Sequence, residues 1–166
     1  LDDLLALTEN SNDEIIIEAS QVLSNWDRQT NGNSQGAVLF KAWVDSVKFF
    51  VNKDELFEGG WAEEKAMDTP FGLHPSVDYL SPLKSAAGFV LKRYGQLDVP
   101  WGEVYRLIRD DVDLPANGGP GDPYGLFRVT NFAPVKDDRF MAIGGDSYQA
   151  VIEFGDKPKA MALLSY

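Results

Sequence analysis

The sequence contains no cysteine and a single histidine, His74. The absence of cysteine excludes disulfide scaffolds, thiolate zinc sites, iron–sulfur clusters and cysteine nucleophiles. A Ser-His-Asp triad within this chain would have to use His74, and a zinc site would have to combine that residue with carboxylates. A catalytic base also needs a nucleophile and an orienting group nearby in space. The loop-like sequence Gly-Leu-His-Pro around His74 favours a structural role instead.

Basic residues are also scarce, with 15 Lys and Arg against 26 Asp and Glu, and the formal net charge is −11. Without a basic stripe, nucleic acids and anionic membrane surfaces are poor candidate partners. No run approaches the roughly 20 apolar residues of a membrane-spanning helix. The hydrophobic share of 44% and the charged share of 25% are typical of globular proteins. The 166 residues fit one domain or a piece of something larger.

Helical periodicity dominates the first half of the chain. Apolar stripes at helical spacing predict helices at residues 1–7, 15–26 and about 36–51. Ser11 and Glu14 have the spacing of a capping box for the second of these. Ser81 as N-cap and Pro82 at the first helical position predict a fourth helix, which Gly95 should end. Residue 1 is leucine and both chain ends resemble the middle of an element, so we expect a fragment or a processed chain.

The pattern changes after Pro100, where short apolar runs alternate with turn residues. Strands are predicted at 104–109, 126–132, 140–143, 149–154 and 160–166. Residues 135–139 and 155–158 have the composition of hairpin connections. Helices followed by antiparallel strands predict an α+β fold. We expect residues 1–98 to be mainly helical and residues 99–166 mainly strands, within one segment.

The sequence around Ser147, Gly-Gly-Asp-Ser-Tyr, resembles a nucleophile motif at first sight. It is not a G-x-S-x-G elbow, because Gln149 occupies the last position. Gly144 and Gly145 favour a tight turn or a bulge at the start of the next strand. Asp146 and Ser147 can then satisfy nearby backbone N–H groups.

Two further segments invite ligand hypotheses. The Gly-Gly-Pro-Gly run at 118–121 suggests a phosphate loop, but it lacks the Lys and Ser/Thr of a Walker motif. Packing of this loop against neighbouring backbone is the better interpretation. Asp110, Asp111 and Asp113 could offer oxygens to calcium, but their spacing does not match an EF-hand. A solvated turn is the simpler interpretation.

Aromatic and acidic residues complete the candidates. Four tryptophans could line an acyl or sugar pocket, namely Trp26, Trp43, Trp61 and Trp101. Tryptophans at helical spacing are usually core residues, and this applies to the first two. The neighbouring Glu63 and Glu64 lie in a charged run and should be on the surface. The residues alone therefore predict an acidic α+β domain without a defined active site.

Eight stretches carry a family resemblance through their order and spacing. They are VLSNWDR at 22–28, GAVLFKAW at 36–43, PWGEVYRL at 100–107, GGPG at 118–121, FRV at 127–129, GDSY at 145–148, VIEF at 151–154 and ALLSY at 162–166. Together they resemble the C-terminal part of the β chain of N-terminal-nucleophile hydrolases of the penicillin acylase family. The similarity is greatest to the acyl-homoserine-lactone and aculeacin acylase branch, and it covers most of the chain from about residue 12 onward.

The resemblance implies a two-chain enzyme matured from one precursor, secreted or periplasmic, in which the first serine of the β chain is the nucleophile. The α-amino group of that serine would act as the base, and the reaction would be hydrolysis of N-acyl amides through an acyl-enzyme. It implies acyl-homoserine lactones, lipopeptides or β-lactam amides as substrates. The partners of this segment would be the α chain and the N-terminal part of the β chain. No cofactor is expected in the segment, although a structural calcium is expected elsewhere in the parent enzyme.

The sequence departs from the family pattern where catalysis is concerned. Residue 1 is Leu and no Gly-Ser dipeptide, the usual cleavage point, occurs in the chain. Arg128 and Asn131 are suitable residue types, but they do not match the catalytic positions of the family. We therefore assign no catalytic, cofactor-binding or metal residue and expect a non-catalytic scaffold segment. The alternative is a self-sufficient binding or interaction domain.

Overall fold

The computed structural model describes residues 1–50, 55–121, 129–146 and 148–164. These residues fall into two compact units, which we call the helical unit (1–28 and 34–100) and the β unit (29–33 and 101–166). The helices are α1 (Asp2–Thr8), α2 (Glu14–Asn25), α3 (Ala37–Phe50), α4 (Leu80–Tyr94) and α5 (Trp101–Val104). The strands are β1 (Phe57–Gly59), β2 (Phe71–Leu73), β3 (Tyr105–Arg109), β4 (Val112–Pro115), β5 (Thr130–Pro134), β6 (Phe140–Gly145), β7 (Tyr148–Glu153) and β8 (Lys159–Leu164). Helices followed by strands confirm the α+β class.

The core of the helical unit lies where α1 to α4 turn their apolar stripes toward one another. Fully or almost fully buried side chains come from every one of these helices, among them Leu4, Leu23, Leu39, Leu83 and Val90. A row of aromatic rings extends this core from Trp26 through Phe40 and Trp43 to Tyr79, with centroid separations of 5.0, 5.5 and 6.4 Å. Spacing at i, i+3 and i+4 therefore determines which residues are buried, as the sequence predicts.

The start of α2 differs from the predicted capping box. The carboxylate of Asp13 accepts a hydrogen bond from the backbone N–H of Ile15, at 3.2 Å, and is the N-cap. Ser11 accepts from the N–H of Asp13 instead of from the helix. Because α2 begins at Glu14, this residue occupies the first helical position, so the capping-box prediction is wrong.

The start of α4 is also one turn away from the prediction. The carboxylate of Asp78 accepts hydrogen bonds from the backbone N–H groups of Leu80 and Ser81, both at 3.0 Å. Ser81 is thus inside the helix, and Pro82 lies in the first turn, where its missing N–H breaks no intrahelical bond. Gly95 ends the helix in the left-handed conformation with φ of 79°, as predicted.

The β unit contains a four-stranded sheet with the order β4-β3-β6-β5. The outer pairs are antiparallel, but β3 and β6 are parallel. The predicted antiparallel strands are thus present in both hairpins of the sheet, and the parallel contact between these hairpins was not expected. Strand β4 was not predicted, Val104 belongs to α5, and the predicted strand at 126–132 lies partly outside the described residues.

Aromatic stacking forms the core of the β unit. The rings of Trp101 and Tyr105 are stacked at 3.8 Å, and Tyr105 stacks on Phe140 from its other side at 5.2 Å. Phe132 meets the Tyr105 ring edge-on at 4.8 Å. Rings from α5, β3, β5 and β6 thus hold the short helix against the sheet through stacked and edge contacts.

Two separate hairpins complete the chain. In the helical unit, β1 and β2 form a short antiparallel pair between α3 and α4. In the β unit, β7 and β8 pair over six positions around the predicted connection at 155–158. Within the described residues this second hairpin forms its own two-stranded sheet, apart from the four-stranded one.

Candidate functional site

His74 lies on a half-exposed loop of the helical unit, where its ring orients a turn. The Nδ1 atom lies 2.8 Å from the hydroxyl of Ser76 and accepts from the N–H of the same residue at 3.3 Å. Its backbone N–H donates to the hydroxyl of Tyr79. No hydrogen bond joins the ring to a carboxylate in the described parts of the chain. This arrangement supports the structural interpretation over a triad.

Tyr79 makes two buried hydrogen bonds in the helical unit, one through its hydroxyl and one through its carbonyl. Its hydroxyl donates to the carbonyl of Leu56, and its own carbonyl accepts from the indole N–H of Trp43 at 3.2 Å. Burial raises the pKa of the Tyr79 hydroxyl above its usual value. The hydroxyl is therefore held neutral and engaged with backbone groups, which is a structural role.

Asp113, one of the three candidate calcium ligands, is held by two arginines. Its carboxylate oxygens lie 2.7 Å from Nε of Arg106 and 2.7 Å from Nη1 of Arg139. Hydrogen bonds from Arg106 and then Arg139 hold the pKa of the Asp113 carboxyl below its usual range. Arg106 also donates to the carbonyl of Gly102 at 2.6 Å. The network ties β3, β4 and the start of β6 together, and it leaves this carboxylate engaged with guanidinium groups.

No cluster of three or more His, Cys, Asp or Glu side chains in the described residues could hold a metal ion. Asp110 and Asp111 form the turn between β3 and β4, and Asp110 has a φ of 53°. Aspartate tolerates this left-handed conformation better than most residues. The solvated-turn interpretation thus fits these two positions.

The glycine-rich loop binds backbone groups. Gly118 donates its N–H to the carbonyl of Thr30 at 2.9 Å, and the Asn117 side chain accepts from the N–H of Gly32 at 2.7 Å. The carbonyl of Gly32 in turn accepts from the N–H of Gly102 at 2.8 Å. The N–H of Gly118 already has a partner, and the carbonyl of Gly119 accepts from the N–H of Thr130 at 2.9 Å, so the loop is a packing element in its described part, up to residue 121. The structure supports the packing interpretation over the phosphate-loop hypothesis.

Gly144 and Gly145 are the last residues of β6, opposite Asn131 and Thr130 of β5, and the register of the pair shifts next to Gly144. The irregularity is therefore within β6 and not at the start of the next strand, where the sequence analysis expected a turn or bulge. The expected bonding of Asp146 to nearby backbone is confirmed. Asp146 accepts from the N–H of Val129 at 3.1 Å and donates its own N–H to the carbonyl of that residue. Gly145 has a φ of 150°, and a Cβ there would lie 2.2 Å from the Val129 carbonyl oxygen. Asn131 is exposed on β5, while Ser147 and Arg128 lie outside the described residues.

The tryptophans divide between the core and the surface. Trp43 and Trp101 are buried and Trp26 is half-buried, whereas Trp61 is 64% exposed. The indole N–H of Trp101 is buried and has no hydrogen-bond partner among the described residues. Glu63 and Glu64 are exposed in a 3₁₀ turn, which confirms their surface position.

The β7–β8 hairpin carries apolar side chains on both faces. One face consists of Tyr148, Ala150, Ile152, Ala160 and Ala162. On the other face, Val151 pairs with Met161, and these side chains are 66% and 78% exposed. An ion pair of 3.7 Å between Glu153 and Lys159 closes this face at the turn end.

Comparison with known proteins gives the family. The model of the penicillin amidase family matches residues 1–166. The chain is 25% identical over 171 aligned residues to the acyl-homoserine lactone acylase PvdQ of Pseudomonas fluorescens strain Pf0-1, covering 99% of this chain and 22% of that protein. It is 24% identical over 151 residues to the enzyme of the same name from strain Pf-5, covering 87% of this chain and 19% of that protein.

The chain therefore belongs to the penicillin amidase family, as the eight stretches indicate. It spans about one fifth of the length of the curated relatives that it matches. None of the described helices is long and apolar enough to cross a membrane.

Two arrangements in the structure escaped the sequence analysis. The contacts of Asp113 on β4 with Arg106 on β3 and with Arg139, just before β6, became visible only with the strand order. The three residues are spread over 34 positions of the sequence. The two-sided apolar character of the hairpin has a signal in the sequence. Its strands contain almost uninterrupted apolar residues instead of the alternation of a half-exposed strand.

Proposed function

We propose that this chain is a non-catalytic segment of an N-terminal-nucleophile acylase that hydrolyses N-acyl amides, and that the serine nucleophile lies outside it. Membership in the penicillin amidase family and the names of the two relatives support the reaction class. The chain has no Gly-Ser dipeptide from which a nucleophilic serine could be released. The proposed substrates are acyl-homoserine lactones, lipopeptides or β-lactam amides.

The exposed hairpin is the observation that carries the scaffold role. A two-stranded hairpin is marginally stable in water, and strands with apolar residues on both faces need cover on both sides. Val151 and Met161 expose one face, and Ile152, half exposed, lies on the other. We assign this cover to the α chain and the N-terminal part of the β chain of the parent acylase.

The proposed reaction requires no catalytic side chain from this segment. A serine with its own α-amino group as base needs neither Cys nor His, so the composition is compatible with the mechanism. The oxyanion donors, the acyl pocket and any structural calcium would belong to the remainder of the enzyme. A precursor that matures by cleavage, and a periplasmic or secreted location, are part of this proposal.

The proposal is tested by comparing the chain with its parent enzyme. We expect the purified chain to release no fatty acid from an N-acyl-homoserine lactone, while the parent enzyme does. In the parent, Val151→Asp should reduce the yield of matured, active enzyme strongly, because it places a charge against the covering layer. Lys157→Asp, in the turn of the same hairpin, should leave the yield unchanged. Turnover by the chain alone, or a fully active Val151→Asp parent, would overturn the proposal.

The alternative of a self-sufficient binding domain has one observation in its favour. The helical unit closes a core of its own, with Leu39 and Leu83 both fully buried. A cooperative thermal melt and a monomeric mass for the isolated chain would support this alternative. Aggregation of the isolated chain, relieved by co-expression with the upstream polypeptide, would support the acylase segment.

A further inference from the structure

An open groove of about 350 Å³ lies between α3 and α4 of the helical unit. Its lining consists of Ala42, Asp45, Ser46, Phe49, Ala86 and Phe89. The spacing of three and four residues places the lining positions of each helix on one face. Phe49 is 82% exposed and Phe89 is 50% exposed. The groove thus combines small side chains with two large apolar rings that are at least half exposed.

The two helices that form the groove are basic, in contrast to the rest of the chain. Together α3 and α4 contain five basic residues and one acidic residue, a net charge of +4 in a chain of net charge −11. Two of the basic residues are paired within the chain, Lys41 with Asp45 at 2.6 Å and Lys84 with Asp13 of α2 at 2.5 Å. Lys92 and Arg93 follow Phe89 by three and four residues, and the Arg93 guanidinium lies 5.4 Å from the Phe89 ring centroid. Positive charge therefore borders the apolar groove.

We propose that this groove binds an amphipathic helix from outside the chain, with an apolar stripe flanked by acidic side chains. A helix in a groove is anchored by apolar residues at i, i+3 or i+4 and i+7, which matches two rings separated by small residues. Acidic flanks would meet Lys92 and Arg93, and this charge pairing would select the partner and its orientation.

Other ligand classes fit the groove less well. Its volume is at the low end of small-molecule sites, and the one charged side chain in its lining is paired with Lys41. A convergent set of polar groups for a discrete ligand is thus missing from the described lining. An anionic membrane would attract the basic border but would be repelled by the chain as a whole, whose net charge is −11.

Two synthetic helical peptides of about 18 residues, long enough to form helices, can test the proposal. Both carry the same leucine stripe, flanked by Glu in one peptide and by Lys in the other. Fluorescence anisotropy with the whole chain should show binding of the acidic peptide and at least about tenfold weaker binding of the basic one. Added salt should weaken binding of the acidic peptide, because its charges remain partly exposed.

Variants separate the apolar from the charged contribution. Phe89→Ala should weaken binding of the acidic peptide by about tenfold or more, as expected for a buried aromatic anchor. Lys92→Gln combined with Arg93→Gln should weaken it several-fold and reduce the salt dependence. The matched controls are Phe154→Ala, which removes another exposed ring, and Lys136→Gln combined with Lys157→Gln, which removes two charges elsewhere. Neither control should change the affinity.

Circular dichroism and the melting temperature first establish that each variant folds, and Phe49→Ala replaces Phe89→Ala if the latter does not. Equal affinity for both peptides, or equal loss in the Phe154→Ala control, would overturn the proposal. Binding of palmitate or of anionic vesicles that depends on Phe89, with no binding of either peptide, would overturn it as well. This assay measures peptide binding, whereas the proposed function is tested by hydrolysis and by the yield of matured parent enzyme. The two proposals therefore fail in different measurements.

Discussion

The helical unit buries its apolar side chains, whereas the terminal hairpin of the β unit, β7–β8, exposes many of them. In α2, α3 and α4, apolar residues at helical spacing place one stripe inward, and residues such as Leu23, Leu39 and Leu83 are at most 1% exposed. In β7 and β8, apolar residues point to both faces, and one layer of two strands cannot bury either. The difference shows that burial depends more on whether elements of the same unit pack against the apolar residues than on how many apolar residues there are.

Shortening one apolar side chain in each region should give the largest contrast. Leu39→Ala should lower the free energy of unfolding by about 2–5 kcal/mol, because it leaves a cavity in a fully buried site. Ile152→Ala on the hairpin should change it by no more than about 0.5 kcal/mol in the isolated chain. Urea unfolding of both variants measures the contrast. An equal loss at the two positions would mean that the hairpin is already covered in the isolated chain.

Replacing one glycine by alanine in each unit should change the stability of the protein in opposite directions. In the β unit, a Cβ at Gly102 would lie 2.5 Å from Cβ of Pro115 and 2.8 Å from the Gly32 carbonyl oxygen. Gly102→Ala should therefore destabilise the protein by about 1–3 kcal/mol. In α4, a Cβ at Gly88 would meet nothing within 4 Å, so Gly88→Ala should stabilise it by about 0.5–1 kcal/mol. Thermal melts that shift in the same direction would contradict this interpretation.

Removing a helix cap should have an effect of intermediate size. Asp78→Ala should cost about 1 kcal/mol, because the N–H groups of Leu80 and Ser81 lose their acceptor. Ser81→Ala, which keeps the Asp78 carboxylate and both backbone donors, should cost less. Chemical denaturation of the two variants decides which residue caps α4. A larger loss for Ser81→Ala would restore the prediction made from the sequence.

The smallest expected effect concerns pH and the arginine network of the β unit. Because the pKa of Asp113 is lowered in the folded chain, its stabilising contribution is present above the ordinary value of 3.8 and is lost as the pH falls through the lower folded value. Asp113→Asn should therefore flatten the loss of stability below about pH 4 relative to the unmodified chain. Asp111→Asn, at the adjacent turn, should not. Urea midpoints between about pH 7 and about pH 3 provide the measurement.

The sequence predicted the helical unit better than the β unit, for a physical reason. Helix periodicity is local, so the stripes of α2 to α4 and the end at Gly95 could be found within windows of a few turns. The caps were misplaced because an aspartate two or three residues from each chosen serine is placed to accept from the first N–H groups of the helix, as Asp13 and Asp78 show. Strand neighbours are non-local, so neither β4 nor the parallel pairing of β3 with β6 could be inferred from the residues.

The same distinction explains the candidate sites: interpretations that depend on residues close in sequence were easier to make than those that depend on distant residues. The structural interpretation of His74 depended on a near neighbour, Ser76, and the contact between the two supports it. The close approach at Gly145 is to Val129 on the neighbouring strand, which the local sequence did not reveal. The engagement of Asp113 by two arginines depended on strand order and was missed. The family resemblance, which uses the order of short stretches over most of the chain, was confirmed by the family match.

Residues 29–33, which we call the strap, affect the order in which the chain folds. The strap connects two helices of the helical unit but belongs to the β unit, where Gly32 bonds the side chain of Asn117, 85 positions later in the sequence. During synthesis this strap is made well before its partners, and closing so long a loop costs entropy that only the finished contacts repay. A fragment beginning at residue 101 would lack the strap, so the β unit cannot be excised as one continuous stretch of polypeptide.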